Sequence, residues 1–368
     1  MKILIIGNSF FPENSPRSFR TTELVKEFAA RGNEVTVIIP KNNESHIEFE
    51  KKYKVKIINL GRKKWKDIDL SHGGKTTILL KRIIRRSLDM FFDYPSIEWM
   101  FKVKKALRDK SGYDLLISIA APHPIHWGVS RVWKKDKRIA RTWIADCGDP
   151  FMGTTTDTFR KPFYFKYVEK SWCKKADYIS VPFNGAKEAY YKEFRNKIKI
   201  IPQGFNFKDV KLKEYIPNKI ITFAYAGELI PGSRDPKELI KYLLNLEIDF
   251  KFILYTKSFD MVNQFVKLSK DKVELRSYIP RVDLLEVLST MDFIVNFNNG
   301  VSTQLPSKLI DYYLTKRPVL SIDSFVLDKK IVDEFIAGNY KHQFKFDNPQ
   351  QYRIENVCQE FLNLSKNA

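Results

Sequence analysis

The run Ile3-Leu4-Ile5-Ile6 is continuously apolar and predicts a buried strand. A polar loop, Gly7 to Pro16, follows. From about Ser18 to Ala30 the apolar residues return at helical spacing, and Glu34 to Ile39 reads as a second strand, so the chain opens with a β-α-β unit. Apolar runs at Val55–Leu60, Leu115–Ile119, Arg141–Ala145 and Tyr178–Val181 then alternate with helical stretches at 98–110, 124–134 and 160–175. That alternation predicts a parallel sheet with helices on both faces. Pro202 and Gly204 turn the chain in the stretch 199–205, and the pattern restarts. Strands are expected at Ile220–Ala226, Phe250–Leu254, Val273–Leu275, Phe293–Phe297 and Val319–Ile322, with a last helix at about 348–364. The expectation is an α/β protein of two Rossmann-like, doubly wound domains, 1–203 and 204–347, followed by a tail segment, 348–368.

Composition narrows the class. With 368 residues and 43% hydrophobic content the chain can bury two ordinary cores. It has no apolar run of 18 residues, so a spanning helix is not expected. Met1 to Gly7 is too short for a signal peptide, which gives a cytoplasmic expectation. Cys147, Cys173 and Cys358 are scattered and odd in number, against a disulfide framework, and all three read as structural. The net charge of +21 is uneven: residues 51–110 hold 18 basic and 6 acidic side chains. Such a patch attracts nucleic acid, anionic lipid or a lipid diphosphate. Within it, residues 75–92 put Leu80, Ile83, Ile84, Leu88 and Phe91 on one helical face and Lys75, Arg82, Arg85 and Arg86 on the other. This pattern suits a helix lying on an anionic membrane surface, and equally one whose apolar face packs on the domain while its basic face is solvated.

Candidate chemistry lies where the predicted strands end, because ligands of open α/β sheets sit beyond the carboxyl ends of the strands. Pro306 and Ser307 suit a helix N-terminus, where backbone N–H groups favour a diphosphate, Lys308 adds a charge, and Asp311 lies one turn on, within reach of a ribose hydroxyl. Gly227 ends a strand, and the fork of Arg234, just before Pro236, can clamp a diphosphate. His123 can hydrogen-bond a sugar hydroxyl, Asp149 at a strand tip stays solvated and ionised, and Tyr278 offers a stacking face. His123 and His126 are three apart, but no third ligand stands nearby in the sequence, so no metal is expected.

The segment Pro306 to Asp323, PSKLIDYYLTKRPVLSID, resembles the donor-site segment of GT-B glycosyltransferases, family 4 in particular, with Asp311 where that family usually has Glu. Other segments are similar to the same family. Asn14-Ser15, near Arg17 and Arg20, stand where it has a glycine pair that approaches the donor phosphate. Asp146-Cys-Gly-Asp149-Pro-Phe151 resembles its D-x-R-D-P-W segment, with Gly148 in place of Arg. The loop Asn298 to Gln304, with Ser302 and Thr303, matches the one under the sugar and phosphates, and Gln304 stands where many relatives have an acidic residue.

The resemblance covers nearly the whole chain and implies the GT-B fold with a cleft between the domains and a tail helix that crosses back to the N-terminal one. It implies a retaining transfer of a hexose-type sugar, in cell-surface polysaccharide synthesis, from a UDP or GDP type nucleotide sugar to a glycan or lipid-linked acceptor. The family needs no metal and no cofactor beyond the donor. It places His123, Asp149, Arg234 and Lys308 in catalysis, and Asn14, Ser15, Arg17, Gly227, Tyr278, Ser302, Thr303, Ser307 and Asp311 at the donor. The expected location is the cytoplasm, peripheral on the inner face of the cytoplasmic membrane through residues 75–92. A nucleotide-sugar epimerase of the same fold, or a nucleic-acid-binding protein, are the alternatives. No RNA or DNA motif supports the latter.

Overall fold

A computed structural model of the chain describes residues 1–13, 15–41, 43–134, 136, 138–154, 159–298, 308–346 and 348–366. They form two compact units, Met1–Phe205 with Ile354–Ala368, and Asn206–Arg353. In the first unit the chain runs β1 (Lys2–Ile6), α1 (Pro16–Ala30), β2 (Glu34–Ile39), α2 (Asn43–Tyr53), β3 (Lys56–Asn59), α3 (Lys75–Phe92), α4 (Glu98–Leu107) and β4 (Tyr113–Ala120). It continues through α5 (Pro124–Val132), β5 (Ala140–Cys147), α6 (Phe165–Lys175), β6 (Tyr178–Val181) and β7 (Ile198–Ile200). The second unit holds β8 (Ile221–Ala226), α7 (Lys237–Leu244), β9 (Phe250–Tyr255), α8 (Asn263–Leu268), β10 (Val273–Arg276), α9 (Arg281–Leu288), β11 (Phe293–Phe297), α10 (Lys308–Leu314), β12 (Val319–Ile322) and α11 (Lys329–Ile336). The last helix, α12 (Ile354–Lys366), belongs to the first unit.

Both sheets are parallel throughout, with strand order 3-2-1-4-5-6-7 in the first and 10-9-8-11-12 in the second. Ile5 of β1 pairs with Val37 on one side and Ile117 on the other, so the first sheet reverses its winding between β1 and β4. The second reverses between β8 and β11. The carboxyl ends of these four strands flank the reversal points, which is where such sheets bind ligands.

Alternation along the strands explains why they are apolar throughout. In β1, Leu4 and Ile6 join a cluster with α4, α5 and α6, while Ile3 and Ile5 face α1 and α12. In the second unit Phe223, Phe252 and Phe293 stack beneath α7 and α11, and Ala224, Ile253 and Ile294 face α9 and α10. Helix α1 starts at Pro16, two residues before the expected place, because Ser15 caps it by accepting the Ser18 N–H. The tail helix starts at Ile354, after a short turn at Pro349–Tyr352, and not at 348. Strand β7 and helix α2 carry no apolar run that would have predicted them.

Phe361 of α12 is fully buried and meets Phe28 of α1 edge-on. Phe361→Ala is expected to destabilise the first unit by about 3–5 kcal/mol. All six tryptophans lie between Trp65 and Trp172, so the tryptophan signal in a urea titration reports this unit alone.

Candidate functional site

In the first unit the strand ends converge on a buried ion pair. Asp146, near the end of β5, receives Arg20 from α1 through two hydrogen bonds, 3.1 and 2.8 Å, and the Ser180 hydroxyl at 2.7 Å. Arg20 also donates to the carbonyls of Ile201 and Pro202. Burial alone would raise the Asp146 carboxyl, but the guanidinium and hydroxyl around it hold it below the usual range. Asp146 therefore holds the scaffold together. Arg17, one turn before Arg20, reaches the Ala120 carbonyl at 3.3 Å and lies 4.0 Å from Asp146. Its guanidinium fills the space beside Gly148: a Cβ there would sit 2.3 Å from it. Position 148, where the resemblance has an arginine, is glycine, and the space beside it is taken by Arg17 from the first turn of α1.

Asp149 follows and its side chain is exposed, so the carboxylate stands in water as expected. His123 is only 6% exposed, and its Nε2–H donates to the Asp149 carbonyl at 3.1 Å, so the ring braces this loop where the sequence suggested a sugar contact. Burial, with the nearby Lys161 and Arg17 charges, pushes His123 down to about 4. The expectation of no third metal ligand is corrected by the fold. Cys147, at the end of β5, lies with His123 and His126 so that one ligand atom from each falls within 4.8 Å of the others.

In the second unit Gly227 ends β8 at φ +147°, a conformation that costs a side-chain residue strain. Tyr312 of α10 donates its hydroxyl to the Ala226 carbonyl at 2.9 Å and accepts the Ala226 N–H at 3.1 Å, which locks α10 to the end of β8. Lys308, at the start of α10, is thereby set over the Tyr225 ring at 4.3 Å, with Nζ buried and without a hydrogen-bond partner among the described residues. Burial, and then the Arg234 charge, lower Lys308 to about 7. Arg234 is held by a tight turn in which its N–H meets the Ile230 carbonyl at 2.9 Å. Ser324, after β12, pins that loop through the Ser233 carbonyl and the Asp235 N–H. The Arg234 charge acts on Tyr278 as well, which is exposed. Lys308, Arg234, Gly227 and Tyr278 thus surround one strand end.

Asp311 differs from expectation. Its Oδ1 accepts two N–H groups of Arg281, at 2.8 and 2.5 Å, so the carboxylate expected at a ribose is engaged by a guanidinium. Burial raises its carboxyl and Arg281 opposes the rise. No sequence signal pairs residues thirty positions apart in this way. Ser15 spends its acceptor on capping α1. The predicted residues Asn14, Ser302, Thr303 and Ser307, and Gln304 with them, lie outside the described residues.

Helix α3 buries none of its residues. Leu80 is 58% exposed, and Leu79, Ile83, Ile84, Phe91 and Phe92 are exposed too, so the reading in which this face packs on the domain is set aside. The segment 159–164 lies beside it, with Arg86 over the Phe159 ring and the Tyr164 hydroxyl on the Phe91 carbonyl. Phe163 there is 72% exposed. No helix among the described residues is long and apolar enough to cross a membrane.

Neither a protein-family model nor a curated protein sequence matches the chain. Solved structures do. The lipopolysaccharide outer core galactosyltransferase WaaB aligns over 100% of this chain and 99% of its own at 13% identity, TM-score 0.61. TarM aligns over 99% and 98% at 13% identity, TM-score 0.62. The chain has the GT-B fold. A Listeria monocytogenes protein named as a UDP-N-acetylglucosamine 2-epimerase aligns over 99% and 95% at 11% identity, TM-score 0.52, so GT-B architecture accommodates more than one activity.

Between pH 7 and 10.5 an unfolded Lys308 holds its proton and the folded one has released it. Raising the pH through that window therefore favours the folded GT-B chain. Urea midpoints measured across it should climb more steeply for the native protein than for Lys308→Met, and equal slopes would contradict this assignment.

Proposed function

We propose that the chain is a retaining glycosyltransferase that transfers a hexose-type sugar from a nucleotide diphosphate to a glycan or lipid-linked acceptor. The observation that carries this reading is the Lys308 amine, buried without a hydrogen-bond partner among the described residues and set beside Arg234 at the end of β8. Leaving a buried ammonium unpaired is costly, and a diphosphate is the ligand that relieves it. On departure of the sugar, negative charge grows on the leaving diphosphate, and Lys308 and Arg234 are the fixed cations that stabilise it, which requires no metal at the phosphates. Tyr278 offers a face to the base. In the first unit the exposed Asp149 carboxylate is the group for acceptor or sugar hydroxyls, with Arg17 and His123 fixing its loop.

WaaB, named as a lipopolysaccharide outer core galactosyltransferase, shares the fold, and a role in cell-surface glycan synthesis is our reading beside that likeness. We place the acceptor at an anionic membrane surface on the cytoplasmic side. Helix α3 presents exposed leucine, isoleucine and phenylalanine side chains together with five basic residues against one acidic, the combination that binds the headgroup layer.

A panel of UDP, GDP and other nucleotide sugars tested by thermal shift should contain at least one that raises the melting temperature. With that donor, Lys308→Ala and Arg234→Ala are each expected to lower kcat/KM by about 10²–10³-fold. No shift with any donor, together with an unchanged Lys308→Ala, would sink the proposal. Interconversion of the free donor without acceptor would move the assignment to an epimerase.

Vesicles provide the second check. Co-sedimentation is expected with anionic but not neutral lipid and should be lost in Arg82→Glu/Arg85→Glu/Arg86→Glu. Equal binding of that variant would remove α3 from the account.

A further inference from the structure

We infer that His123, His126 and Cys147 form a buried binding site in the first unit for a divalent transition cation of the zinc class. His123 is the residue before α5, His126 lies one turn into it, and Cys147 closes β5. All three are buried. One ligand atom from each lies within 4.8 Å of the other two, and the His126 Nε2 to Cys147 Sγ distance is 3.3 Å. A tetrahedral cation bound at about 2.0 Å from nitrogen and about 2.3 Å from sulfur separates those two atoms by about 3.5 Å. The two ligands already stand at that spacing. A shift of about 1 Å brings in the third.

Hydrogen bonding leaves the His123 imidazole in ligating form. The Asp149 carbonyl has no proton to give, so the His123 Nε2 3.1 Å away carries the hydrogen and Nδ1 keeps a bare lone pair. That Nδ1 is buried and meets no donor among the described residues. An unpaired acceptor in an apolar interior costs about 1–3 kcal/mol, and a cation satisfies it. His126 places Nδ1 on the Ser118 hydroxyl at 2.8 Å, which also accepts the Trp143 indole N–H, and turns Nε2 to the sulfur; in the ligating tautomer Nδ1–H donates to Ser118. Asp149 and Ser118 therefore occupy the outer positions that orient metal-bound histidines. Two imidazoles and a thiolate select zinc-class ions over magnesium or calcium. Ligation replaces the Cys147 S–H by an S–metal bond and sends one proton to solvent.

A cation here would staple the β4–α5 loop to the end of β5, the loop that carries Asp149. It is a structural site, independent of how Lys308 and Arg234 treat a donor, so each idea can fail without the other.

The test uses the full chain, stripped with a chelator and titrated with Co²⁺. One equivalent should bind, with d–d bands of tetrahedral intensity and a thiolate-to-cobalt charge-transfer band, and Zn²⁺ should displace it and raise the melting temperature. Cys147→Ala should lose the charge-transfer band, and Ser118→Ala should weaken binding about 10-fold or more. If Cys147→Ala does not fold, His126→Gln takes its place and must alter the d–d spectrum. Absence of stoichiometric uptake at micromolar Co²⁺ overturns the assignment. Spectra unchanged by the ligand substitutions do so too, because the ion then sits elsewhere.

Discussion

A carboxylate shut away from water stays charged only if a cation and hydrogen-bond donors surround it, and Asp146 meets that condition through Arg20 and Ser180. The pair joins α1, β5 and β6 and, through the Ile201 and Pro202 carbonyls, the exit of β7. Breaking one side would leave the other charge buried and alone, which is why such pairs fix geometry even when their net contribution to stability is small. Arg17 and the loop from Cys147 to Asp149 take their positions from it. The functional edge of the first unit is thus organised by one interaction that itself touches no solvent.

The second unit solves the same problem without charge. Tyr312 gives one hydroxyl to both backbone groups of Ala226, and the strand end, Gly227 and the start of α10 are brought into register. The energy of burying Tyr225 and Tyr312 rings supports a lysine that has been drawn out of water. Burial works against the charge of Lys308, whose amine meets no hydrogen-bond partner among the described residues, a pattern common at ligand sites.

The alternation of apolar runs and helical stretches was sufficient for both parallel sheets, because strands buried on two faces leave an unmistakable continuous signal, as in Ile3–Ile6 and Phe293–Phe297. Three-residue β7 and the charged α2 escaped it, one too short and the other held by contacts with β3 and α1 that no local pattern encodes. At the candidate sites, single residues at strand ends were readable: Lys308, Arg234, Gly227 and Asp149 stand where the loops led. Pairings were not. Arg20 and Asp146 are 126 positions apart, Arg281 and Asp311 thirty, and Cys147 meets His126 from a neighbouring strand. What a side chain is next to depends on the topology, and only what it is can be read along the chain.

Gly148 and Arg17 carry this furthest. The guanidinium occupies the room that a side chain at 148 would need, so a charge carried by α1 stands against the loop after β5. Any side chain larger than hydrogen at 148 would have to displace the Arg17 guanidinium, so each of the two positions sets what the other can hold.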